Sequence, residues 1–238
     1  MPTYSVEPKI FELFPAFRRG VVIATQLDNR SSESDLGECI TEASNALLSS
    51  LSETEPDRIS VWNDAYLKLG VDPKKFTPSV KFLYEQIRKG KPPRSISKIV
   101  DVMNLESLRW MAPCGGDDLK TILPGDIRLG FAQGDESFAP LFKAAAFESP
   151  TPGEVIYYTP QTKKVMCRRW TWRNADFSKI TSETTDVAIN IDIMAPPFSE
   201  TDVDTVLSET AALLERCCEG RTVCHKLHPG APSFEFGD

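Results

Sequence analysis

Histidine is nearly absent: the 238 residues hold two, His225 and His228, both close to the end of the chain. A Ser-His-Asp or Cys-His machine would have to borrow its base from that Gly- and Pro-rich segment. No G-x-S-x-G, G-x-G-x-x-G, phosphate-loop or H-E-x-x-H pattern occurs, so the common hydrolase, nucleotide and zinc-protease readings lose their support. Long apolar runs are missing as well; stretches such as 20–24 and 187–194 fall far short of the roughly 20 residues that span a bilayer. The opening residues carry acids and a proline where a signal peptide needs a basic end and an apolar run. A cytoplasmic protein without a membrane partner is expected. The six cysteines are too sparse for a secreted disulfide scaffold, and Cys217 and Cys218, being adjacent, pair badly.

Net positive charge is also lacking. Lys plus Arg number 27 against 34 Asp plus Glu, a balance of −7 that argues against a generic nucleic-acid coat. A local basic patch is still compatible with it. The 41% hydrophobic content suffices for a core, in one large domain or two small ones.

Pattern along the chain divides into strands, helices, strands and a last helix. Residues 10–13 and 21–27 read as short strands around a turn at Pro15. Asp35 is placed to cap a helix carrying Ile40, Ala43, Ala46, Leu47 and Leu51 at helical spacing, ended by Thr54 to Pro56. Residues 60–69 form another, stopped by Gly70 and Pro73. Thr77 with Pro78 opens a third, with Val80, Leu83, Tyr84 and Ile87 as its apolar stripe and Gly90 as its end. Ser95 or Ser97 begins a fourth that runs to Trp110. Period two then predicts strands at 127–132, 154–159, 164–170 and 186–194. Ser199 and Asp202 resemble a capping pair for a final helix over Val203 to Cys217. This order predicts an α+β domain over 1–219, followed by a tail over 220–238.

Four segments carry chemistry. Arg88, Lys89, Lys91, Arg94 and Lys98 put five cations and no acid into residues 87–100, either a phosphate-backbone site or a solvated turn. In residues 104–118, Gly115 and Gly116 permit a tight turn and offer backbone donors to an oxyanion, while Asn104 in an apolar setting pins the loop or touches a ligand. In residues 167–185, Arg169, Thr171 and Arg173 alternate with Trp170 and Trp172, which predicts a polar face that meets a ligand or an ion-pair network with Asp176 and Glu183. Finally, Cys217, Cys218, Cys224, His225 and His228 are close in sequence, but their spacing fits no standard zinc finger, and no metal site is assigned.

Residues 72–80, the Gly90 turn, residues 101–118, 125–128, 168–173 and 179–181 together resemble freestanding B3/B4-domain proteins. These are similar to the tRNA-editing domain in the β subunit of bacterial phenylalanyl-tRNA synthetase. The resemblance runs over approximately residues 8–219 and implies a three-layer α+β domain with a β-sandwich of unusual topology flanked by helices. It implies a trans-editing hydrolase that frees a wrong amino acid from tRNA by attack of water on the aminoacyl ester, with no cofactor. By the resemblance, Asp176 falls on the family's pocket glutamate, Thr181 and Thr184 on its threonines and Asn104 on its asparagine. In the roles that follow, Asp176, Thr181, Gly115 and Gly116 are catalytic. Asn104, Arg169, Arg173, Asn174 and Thr184 bind the substrate, the two arginines at the terminal adenosine phosphates, and the five cations of residues 87–100 hold the tRNA. The departures are Gly115 at the position of the synthetase histidine, Asp for Glu at 176, and Asn174-Ala175 in place of two glycines. The alternative is a module that binds tRNA or an amino acid without turnover; a regulatory partner in translation is a third reading.

Overall fold

The computed structural model describes residues 1–30, 36–50 and 54–237. Among them are six α-helices and ten strands, in the order β1 (Thr3–Val6), α1 (Pro8–Leu13), β2 (Phe17–Thr25), α2 (Leu36–Ser49), α3 (Asp57–Lys68), α4 (Ser79–Arg88), α5 (Lys98–Trp110), β3 (Cys114–Asp118), β4 (Ile127–Phe131), β5 (Val155–Thr159), β6 (Lys164–Arg168), β7 (Arg173–Asn174), β8 (Val187–Met194), α6 (Glu200–Cys218), β9 (Arg221–Leu227) and β10 (Ser233–Glu235). The strands form two sheets, β10-β1-β4-β5-β6-β7 and β3-β8-β2-β9. Only β1 and β4 pair in parallel; every other pairing between these strands is antiparallel. The α+β architecture expected from the sequence is the one observed.

The four-stranded sheet is the middle layer. Its strands β2 and β8 are buried along almost their whole length, as strands covered on both faces must be. Helix α6 lies so close over β2 that a Cβ on Gly20 would stand 2.8 Å from the Leu207 side chain. Arg19, the neighbouring residue, points the other way, with its guanidinium 5.0 Å from the Tyr157 ring of the second sheet. Trp170 seals the same layer, packed edge-on against Phe14, Phe17 and Trp62. Its indole Nε1 donates to Asp192 at 3.0 Å.

Several local expectations are corrected. Residues 8–13 are a helix and not a strand: Pro8 presets the first turn, and Ile10, Phe11 and Phe14 bury one helical face. Pro78, not Thr77, occupies the N-cap of α4, and the Ser97 side chain makes no cap bond to α5. The strand predicted over 164–170 stops at Arg168, because Arg169 and Trp170 adopt left-handed φ values of 49° and 65°. Residues 221–227, read as part of a tail, pair with β2, and residues 233–235 pair with β1. The Ser199 and Asp202 capping box is present on α6. Asp35 and Leu51 lie outside the described residues.

Candidate functional site

Strand β3 is an edge of the middle sheet, and its backbone phase determines which groups are free. The Asp192 N–H donates to Pro113 O and the Leu119 N–H to Asp186 O, each at 2.9 Å. Odd-numbered residues of β3 therefore direct their N–H and C=O groups at β8, and even-numbered ones direct theirs outward. Asp118 shows the outward phase, donating to Ser178 O at 2.9 Å. The Gly115 N–H is thus committed to the ladder, whereas the Gly116 N–H faces outward with no protein acceptor among the described residues. Of the two expected oxyanion donors, Gly116 alone is available.

Three neighbouring hollows share lining residues at this edge. The largest is a cleft of about 700 Å³ between α4, α5 and β7, into which Asn104, Gly115, Arg173 and Asn174 project with Lys91 and Arg94. A second hollow of about 200 Å³ is mainly apolar, walled by Val100, Met103, Leu141 and Ile180, with Asp117 and Ser178 as polar residues in its lining. A third, of about 50 Å³, lies behind Gly115 and Gly116 between the two sheets. Asn174 borders all three. The side chains of Asn104 and Asn174 form no hydrogen bond within the described protein, leaving their amides free for a ligand. Gly116 stands in a crowded place: a Cβ there would lie 2.7 Å from Met103 Sδ and 3.2 Å from Ile180 Cδ1, so these side chains would have to shift.

Asp117 was not singled out in the sequence, yet it borders both smaller hollows. Its Oδ1 accepts from Ser178 Oγ at 2.6 Å. Burial pushes its carboxyl up to about 7; the Ser178 bond and the Arg19 charge pull down and Asp118 pushes up. The sequence signal was the acidic pair 117–118 directly after two glycines, which period alone does not distinguish from a turn.

The remaining site residues are placed elsewhere. Asp176 borders none of the three hollows. Its Oδ1 accepts from the Phe142 N–H at 2.9 Å and from Lys179 Nζ at 2.9 Å, and the Lys179 bond foremost holds its carboxyl below the usual range. Thr181 and Thr184 build a turn: the Thr181 N–H donates to Thr184 Oγ1 at 2.9 Å, and that hydroxyl donates to Asp118 Oδ2 at 2.7 Å. Arg169 covers the Phe76 ring at 3.7 Å. The arginine-rich segment does feed an ion-pair network, but through Arg168 to Glu154 and Glu148, both at 2.7 Å, rather than through Asp176 and Glu183. Arg173 lies 3.5 Å from Glu148 and still lines the cleft.

Among the five predicted phosphate-binding cations, Lys91 and Arg94 stand exposed on the cleft wall, without an acidic partner among the described residues, and Lys75 joins them. Arg88 and Lys89 lie off it; Lys89 is 3.9 Å from Glu85. Lys98 is buried, at 8% exposure, and is withdrawn from the patch. Two exposed apolar side chains, Phe82 and Ile96, also line the cleft. His225 stacks on Phe234 with ring centroids 3.6 Å apart, and Cys224 Sγ donates to Leu207 O at 3.7 Å. Among the described residues, no three His, Cys, Asp or Glu side chains gather as a metal site, and no helix is long and apolar enough to cross a membrane.

A four-stranded sheet enclosed between a larger sheet and a helical layer, with a cleft at its open edge, defines a three-layer α+β domain with a substrate-sized recess. The family follows from sequence: residues 61–219 match the B3/4 domain model, and the chain belongs to that family. Among solved structures, it is similar to an N-terminal fragment of the phenylalanyl-tRNA synthetase β subunit from Pyrococcus horikoshii, at 14% identity and a TM-score of 0.44. That alignment covers 92% of this chain and 49% of the fragment, so the chain spans about half the length of its neighbour. No curated protein matches the chain.

Proposed function

We propose that the protein is an aminoacyl-tRNA deacylase, acting on the ester that joins an amino acid to the 3′ end of a misacylated tRNA. The observation that carries this reading is that three hollows of different character border one residue, Asn174, while the outward backbone donor Gly116 lines the two smaller ones and its neighbour Gly115 lines the cleft. In this reading the terminal adenosine occupies the 700 Å³ cleft, with its phosphates near Lys91, Arg94 and Arg173. Exposed Phe82 offers a face for base stacking. The amino-acid side chain enters the 200 Å³ hollow, and the ester carbonyl lies between them, within reach of the Gly116 N–H. Asn104 and Asn174 orient the ribose and the amino group. An activated ester needs only modest assistance, so the absence of histidine from this site is no obstacle. Asp176, Thr181 and Thr184 support the loop that walls the hollow rather than meet the substrate.

The test is binding of a non-hydrolysable 3′-aminoacylamino-adenosine, followed by NMR on the Met103 methyl group. The reading expects a saturable shift at Met103, abolished by Gly116→Val, which fills the junction. No shift at Met103, or shifts confined to another face, would reject it.

A further inference from the structure

One residue that lines the smallest hollow carries a polar atom that no described residue satisfies. Arg19 is 1% exposed and binds Asp192 through Nε at 2.6 Å and Nη2 at 2.7 Å, yet its Nη1 is buried without a partner. An unpaired buried donor is costly, and the chamber of about 50 Å³ that Arg19 lines is where its partner can stand. That volume exceeds the roughly 10–15 Å³ a water needs, and the wall supplies several polar groups: Arg19, Asn190, Thr171 and Asp117. Asp117 also borders the apolar hollow, so it separates a water chamber on one side from the substrate space on the other.

We propose that Asp117 is the general base of the ester hydrolysis, drawing its water from this chamber, where Arg19 and Asn190 hold it. The inference rests on the deacylase reading. Asp117 takes a proton from the water as the water oxygen bonds to the ester carbonyl carbon, and the carbonyl electron pair moves onto its oxygen beside the Gly116 N–H. The adduct then re-forms the carbonyl and breaks the bond to the ribose oxygen, which leaves with the proton returned by Asp117. The products are the free amino acid and the ribose hydroxyl; nothing is oxidised or reduced.

The surroundings suit that role. Arg19 from β2, whose charge Asp192 of β8 balances, acts electrostatically on the carboxyl, as do the phenols of Tyr4 and Tyr157, the Cys167 thiol and Asp118 next to it on its own strand. A carboxyl raised to about 7 by burial is matched to proton transfer near neutrality.

The experiment compares wild type with Asp117→Asn, which keeps an acceptor for Ser178. On a tRNA ester that the wild type hydrolyses, the variant is expected to lose about 10²–10⁴ in kcat. Its affinity for the 3′-aminoacylamino-adenosine should stay within about threefold, and the rise of rate with pH around neutrality should vanish. Asn190→Leu, which fills the chamber with an apolar group, is expected to lower kcat with the same affinity retained. Wild-type kcat and pH profile in a folded Asp117→Asn protein, or full activity in Asn190→Leu, would overturn the assignment and leave the deacylase reading standing. A wild type that hydrolyses no ester would overturn both.

Discussion

The Ser178 hydroxyl donates to Asp117 Oδ1 at 2.6 Å across 61 residues of chain. Together with Thr184 Oγ1 on Asp118 Oδ2, it fastens the 174–184 loop onto the edge strand β3 and so closes the recess. Ser178→Ala is expected to destabilise the fold by about 1–3 kcal/mol, since a buried carboxylate loses a donor. Because that donor favours the charged form, its removal should also move the pH–rate profile to higher pH. Urea titration reads the first effect and kcat/KM against pH the second; a profile moved to lower pH would contradict the arrangement.

Lys91 and Arg94 are exposed on the cleft wall with no acid beside them. Replacing both with Ala should weaken tRNA binding at low salt and reduce the slope of log K against log salt by about 2. The same change at Lys89, which is near Glu85, should alter the slope little. Filter binding over a salt series distinguishes the two; equal effects would remove the cleft from the tRNA path.

Arg19 and Asp192 form an ion pair that is 1% and 0% exposed. Asp192→Ala leaves that guanidinium buried and uncompensated and frees the Trp170 Nε1–H as well. A loss of about 3–5 kcal/mol is expected in a denaturant titration. A loss below about 1 kcal/mol would show that the inter-sheet layer admits bulk water.

Glu106 on α5 is buried, its carboxylate oxygens make no well-formed hydrogen bond among the described residues, and Arg109 Nη1, with Thr210 nearby, stands 3.5 Å away. Burial, assisted by Glu209, pushes its carboxyl up to about 7. The folded state therefore holds the proton more tightly than the unfolded chain, and this contribution to stability is present in acid and lost as pH rises through about 7. Glu106→Gln should stabilise the protein by on the order of 2 kcal/mol above that pH and have little effect below pH of about 4. Equal thermal shifts in acid and base would contradict this.

Long-period features were legible in the sequence. The stripe of Val80, Tyr84 and Ile87 and the capping pair on α6 each report one element's own periodicity or termini. The junction at Gly116 was legible in part: paired glycines announce close backbone approach, but which one keeps a free N–H depends on the phase of pairing with β8, a long-range property. Asp176 read as the pocket acid because the family resemblance places it there. Its carboxylate is instead drawn to Lys179 and the Phe142 N–H, while Asp117 takes the buried position beside Arg19, a residue nearly a hundred positions earlier. The left-handed pair Arg169 and Trp170 broke the expected alternation because Trp170 turns into the aromatic core. Residues 221–227 were unreadable as a strand for a similar reason: their burial is partial, and the pairing with β2 defines them.

The most direct measurement is the decay of a panel of misacylated tRNAs, each with labelled amino acid, with and without the protein under single-turnover conditions. Accelerated release of at least one amino acid, with correctly charged tRNA spared and the effect lost on filling the Gly116 junction, is the predicted result. Tight binding across the panel with no ester cleaved faster than in buffer would contradict the account and establish a binding module in its place.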